Sequence, residues 1–74
     1  MPTERTEQIQ IVVNGETRSL TPGASVMDLL RTLGLDPERL AVELDREILP
    51  KNLWAETALT GGEHLEIVHF VGGG

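Results

Sequence analysis

The chain has no cysteine. That excludes disulfides, thiolate metal sites, all-cysteine iron–sulfur clusters and a thiol nucleophile. A reactive group, if the chain carries one, must hang on something else. Aromatic residues are nearly as scarce, with one tryptophan, one phenylalanine and no tyrosine in 74 residues. Lys51 is the lone lysine, and nothing around it in sequence would desolvate its amine. No apolar run approaches the ~20 residues of a membrane span. The N-terminus is polar and does not read as a signal peptide. These absences lead us to expect a cytoplasmic protein with no membrane partner. Basic residues are also few: 6 against 12 acids, a formal net charge of −6. That balance argues against binding a nucleic-acid backbone. Residues 1–37 hold 3 bases and 5 acids, and residues 38–74 hold 3 bases and 7 acids. A partner gripping the C-terminal half would therefore be basic around its pocket.

What is present is enough for one small domain. Its length lies near the limit at which a single core suffices. Met1 to Glu7 is polar and aperiodic, which predicts a disordered lead-in, 1–7. In Gln8–Val13, Ile9, Ile11 and Val13 alternate as one face of a strand. Asn14-Gly15 is a strong hairpin signal, because a type I′ turn needs positive φ at both positions. Glu16–Leu20 is the returning strand. A strict two-residue loop sets Ile11 opposite Arg18, whereas a bulge at Gly15 sets it opposite Ser19, and the residues leave this register open.

Ser25 then reads as an N-cap, with Asp28 three residues on. Val26, Leu29, Leu30 and Leu33 fall on one helical stripe, and Gly34 is the stop, giving a helix of about nine residues. So short a helix needs a sheet to pack on. Asp36–Arg39 is a turn or a single helical turn. Leu40–Asp45 alternates with Leu40, Val42 and Leu44 inward, and Glu47–Leu49 is a short strand stopped by Pro50. Trp54 and Leu59 read as core residues. His64–Phe70 is the last strand, with Leu65 and Ile67 on one face and Val68 and Phe70 on the other. The two histidines, His64 and His69, fall on opposite sides and cannot chelate together. There is no phosphate loop, and no paired carboxylates mark an active site.

This order predicts an α+β β-grasp domain over 8–70: a mixed sheet of four to five strands with one main helix across one face. The second face must meet water or a partner. Val12, Val68 and Phe70 can fall there by parity, as a docking patch or as residues covered by loops. The chain then ends in Val71-Gly72-Gly73-Gly74. Glycine costs the most entropy to order. A flexible tail, 71–74, therefore adds nothing to a core. It can be a frayed end, or a thin rod of at most ~14 Å that threads a tunnel where a Cβ would clash.

Asn14-Gly15-Glu16, Ser25-Val26-Met27-Asp28-Leu29-Leu30, Leu33-Gly34-Leu35, Ala41-Val42-Glu43-Leu44-Asp45, Ile48-Leu49-Pro50-Lys51 with Trp54, Gly61-Gly62-Glu63 and Val71–Gly74 together resemble the ThiS family. These are sulfur carrier proteins of thiamine thiazole biosynthesis, with a ubiquitin-like β-grasp fold. The likeness covers about residues 8–74, and its strength lies in the order of the motifs. It departs from the family at Asp45-Arg46, where Asn and a small or polar residue are usual, at Gly62-Glu63 for Gly-Asp, and in a third glycine at the end.

The resemblance implies that Gly74 is the modified residue, with Gly72 and Gly73 threading partner pockets. An E1-like adenylyltransferase (ThiF-type) joins the carboxylate to AMP, using ATP and magnesium that it binds itself. Sulfur from a cysteine desulfurase persulfide then replaces AMP, and thiazole synthase (ThiG-type) takes it from the thiocarboxylate. The domain would be a carrier, not an enzyme, and would bind no cofactor or metal. Two other expectations stand beside this one. The chain can serve molybdopterin synthesis or tRNA thiolation, or it can be a non-conjugated β-grasp interaction module.

Overall fold

The computed structural model describes residues 8–70. The expected lead-in, 1–7, and tail, 71–74, lie outside the described residues. The strands are β1 (Ile9–Val13), β2 (Glu16–Leu20), β3 (Leu40–Leu44), β4 (Glu47–Ile48) and β5 (His64–His69), with one α-helix, α1 (Val26–Thr32). They form one mixed sheet in the order β2-β1-β5-β3-β4. Neighbours are antiparallel except β1 and β5, which run parallel. A hairpin, a helix laid across the sheet and a returning central strand make a β-grasp domain, as expected.

The hairpin register is the two-residue one. Asn14 and Gly15 take φ of 50° and 85°, and Ile11 pairs with Arg18. The apparent conflict in that pairing resolves by position. Ile11 is on an inner strand under the helix and is buried, whereas Arg18 is on the edge strand, where its guanidinium reaches Glu16 at 3.5 Å.

The helix begins as its sequence dictates. Ser25 Oγ accepts from Asp28 N–H at 3.0 Å, and Asp28 Oδ2 accepts from Ser25 N–H at 3.0 Å, a complete capping box. It spans 7 residues rather than about nine, ending where Gly34 turns to φ 74°. Val26, Leu29 and Leu30 are buried, and Leu33, past the helix end, packs against their cluster.

The core lies between this stripe and one face of the sheet: Ile11, Val13, Leu20, Leu40, Val42, Leu65 and Ile67. Trp54 closes one end at 2% exposure and donates from Nε1 to Leu49 O at 2.9 Å. Its indole nitrogen is thus satisfied at no cost to its burial. Leu59 fills in beside it, also 2% exposed. Burying each such aliphatic side chain contributes about 1.5–3 kcal/mol.

Candidate functional site

The site is built around β5, whose far end leads into the glycine tail. Being central in the sheet, β5 is held along both edges. On the β3 side its even-numbered residues bond. Phe70 N–H donates to Arg39 O at 2.9 Å, and Asp45 N–H donates to His64 O at 2.8 Å. On the β1 side the odd-numbered residues bond. Val12 N–H donates to Glu63 O and Asn14 N–H to Leu65 O, each at 2.9 Å.

Two turn residues extend these ladders with their side chains. β1 stops at Val13, so Ile67 has no strand opposite it. Asn14 stands in: Ile67 N–H donates to Asn14 Oδ1 at 2.7 Å, and Asn14 Nδ2 donates to Ile67 O at 3.2 Å. The side-chain amide copies a peptide group. Only asparagine or glutamine has both partners in one plane, and of the two asparagine better tolerates φ of 50°. At the other end of β5, Asp45 has φ 49°, and its Oδ1 accepts from His64 N–H at 2.9 Å. Here only an acceptor is used. Aspartate therefore suffices at this position. The sequence marks Asn14 as a turn former, and neither of these side-chain roles was read from it. The signal was available in part, because Asx side chains commonly bond nearby backbone.

The base of the tail is anchored a second way. Arg39, whose carbonyl receives Phe70 N–H, closes a 3-10 turn, Pro37–Arg39. Asp36 caps that turn by accepting from Glu38 N–H at 3.0 Å.

The open face carries the expected apolar residues, but not as one patch. Val68 is 53% exposed and Phe70 57%. Val68 pairs with half-buried Ala41. Val12 is half-buried and sits at the opposite end of β5, between Thr17 and His64. Between the two apolar spots, Glu66 and Glu43 lie directly across from each other. Such like charges repel, and Asp45, Arg46 and His64 complete this stretch of surface. Among the described residues no group of acids and histidines is arranged to hold a metal ion. His64 and His69 take opposite faces, as parity required, and both are exposed.

The acidity of Asp28 is perturbed. Its hydrogen bonds with Ser25 hold its carboxylate below the ordinary 3.8, and Arg31 adds to the effect. This belongs to helix capping rather than to chemistry at a substrate. No helix among the described residues is long and apolar enough to cross a membrane. Gly72, Gly73 and Gly74, the residues expected to thread and to react, lie outside the described residues.

Comparison with known proteins agrees with this geometry. A thiazole synthase of Paramagnetospirillum magneticum is 44% identical over 66 residues, which are 89% of this chain and 20% of that protein. The chain thus spans about a fifth of the length of that curated relative. The sulfur carrier protein ThiS of Bacillus subtilis is 40% identical over 50 residues, 68% of this chain and 76% of that one. The crystal structure of a thiamine biosynthesis protein (ThiS) from Geobacter metallireducens superposes with a TM-score of 0.77 at 29% identity, covering 89% of this chain and all 100% of that one. The ThiS family model matches residues 11–74, from the first hairpin through the final glycine. With all but the first two residues of the sheet, the helix, the turns and the glycines at 72–74 falling inside that match, the chain belongs to the ThiS family.

Proposed function

We propose that the chain is a sulfur carrier of thiamine biosynthesis and that Gly74 is its working residue. A carboxylate is a poor electrophile because its charge is delocalised. An E1-like adenylyltransferase, using ATP and magnesium that it binds itself, converts it to an acyl adenylate with release of pyrophosphate. Sulfur from a cysteine desulfurase persulfide displaces AMP, a thiol reductant frees the terminal thiocarboxylate, and thiazole synthase consumes it. The chain is a cosubstrate in this scheme and catalyses none of the steps. The absence of any thiol leaves the terminal carboxyl as the evident place for activated sulfur.

One observation carries the reading. A central strand, tied on both edges by backbone and by Asn14 and Asp45, leads after Phe70 into Val71-Gly72-Gly73-Gly74. Rigid support beneath a terminus without side chains suits a group that must enter several enzyme pockets. Val68 and Phe70 beside it, with Val12 at the far end of the strand, are the proposed docking residues. The likeness to a thiazole synthase that contains such a stretch in its own polypeptide supports that enzyme as the customer.

The test is intact-mass analysis after incubation with ATP, a cognate adenylyltransferase and a sulfur donor. We expect one oxygen at Gly74 to be exchanged for sulfur, and Gly73→Val to fold yet resist adenylation because a branched side chain cannot follow the tunnel. An unchanged mass, where a control carrier reacts, refutes the proposal.

A further inference from the structure

We propose that β5 accepts an added strand from thiazole synthase along its free edge beside the tail. This rests on the functional reading above and adds the manner of contact. The hydrogen bonds of β5 alternate sides, and on the β1 side the sequence of partners is Val12, Asn14 N–H, then the Asn14 side chain at Ile67. His69 is next on that side. Among the described residues nothing reaches its N–H or C=O. Strand β1 ended four residues too soon, and Asn14 compensates for one step only. An unpaired donor and acceptor on a sheet edge is a template for another strand.

The surroundings fit an extended peptide. A groove of about 260 Å³ opens on the core side of this edge. Val13, Leu33, Leu35 and Ile67 form its apolar walls, with Arg18 and His69 at the rim. Alternate side chains of an added strand point to one face. The one level with His69 on the core side would therefore enter the groove, and its chemistry would be aliphatic. The occupant is a segment of the synthase for a reason of position. An enzyme that takes sulfur from Gly74 must hold the tail, and the free edge leads directly into the tail. In a thiazole synthase of Paramagnetospirillum magneticum, a stretch 44% identical to this chain is part of the same polypeptide.

The experiment uses the full chain and purified thiazole synthase, with affinity read by calorimetry. His69→Pro removes the N–H and blocks the edge, yet spares the β3 ladder, which His69 does not use. His69→Ala keeps the N–H and removes only the imidazole. We expect the proline variant to bind about tenfold or more weakly than the alanine variant, which shares the loss of the imidazole and keeps the N–H. A chemically synthesised chain methylated at the His69 nitrogen gives the same answer if the proline variant melts early. Equal binding by wild type and by both edge-blocked chains overturns strand addition while leaving the carrier function standing. A wild-type chain that does not bind the synthase overturns the functional reading, and this inference with it. Self-association abolished by His69→Pro assigns the edge to a second copy and also overturns the proposal.

Discussion

Single residues carry more of this design than their types suggest. Asn14 does two jobs, turning the hairpin at φ 50° and pairing with Ile67 through its amide. Glycine can do the first but not the second. Asn14→Gly should therefore keep the turn and cost about 1–3 kcal/mol, since Ile67 loses partners for a part-buried N–H and C=O. Amide exchange separates the roles: Ile67 should exchange faster while the amides of Val13 and Glu16 stay protected. Unchanged protection at Ile67 would show that the amide contributes nothing in solution. Trp54 is a simpler case. Its burial was legible because a lone tryptophan in a small apolar set belongs in the core. Its acceptor, Leu49 O, was not, because nothing in the spacing shows which carbonyl a loop will aim at it.

At the scale of elements, the helix shows how local chemistry and packing divide the work. Its ends are written locally, in Ser25 with Asp28 and in Gly34. Ser25→Ala should cost about 1 kcal/mol, lowering the midpoint of a neutral-pH thermal melt by about 4–8 °C. The pH dependence follows from Asp28. Its folded value is depressed, so its contribution is complete above the unfolded value near 3.9 and fades as pH falls through the lowered folded value. Ser25→Ala keeps the backbone N–H that is the larger cause of the depression, so only the part of its gap from wild type that comes from the Ser25 hydroxyl on the Asp28 carboxylate should narrow in acid, and a gap that widens as pH falls would contradict this. The strands were less legible than the helix. β1, β3 and β5 alternate cleanly. In β2, Glu-Thr-Arg-Ser-Leu buries only Leu20, because an edge strand exposes most of its length. β4 is two exposed residues, defined by pairing with β3 and not by any pattern of its own.

For the whole molecule, one face of the sheet is committed to the helix, and the other leaves Val68 and Phe70 exposed. Phe70 stands on that face at 57% exposure and contributes little to the core. Phe70→Glu should change stability by no more than about 0.5 kcal/mol, as surface changes do, while weakening capture by the proposed partners, an adenylyltransferase and thiazole synthase. A large fall in the melting midpoint, with binding preserved once folded, would reassign Phe70 to the core. With a net charge of −6 on this chain, capture by a partner with a basic pocket should also weaken as salt rises.

The amino-acid order determined the elements other than β4, because periodicity, caps and turn residues act over a few neighbours. It determined the two-faced character of β5 for the same reason, since side chains on a strand alternate whatever lies beside it. It also supplied the thiol-free, glycine-ended chain on which the chemical reading rests. Tertiary structure alone decided the hairpin register, where burial of Ile11 beneath the helix tolerates Arg18 opposite it only because β2 is an edge. It alone decided that Asn14 would reach Ile67, 53 residues away in sequence. And it alone separated Val12 from Val68 and Phe70, because which end of β5 lies beside β1 depends on strand order and direction, quantities that no local pattern records.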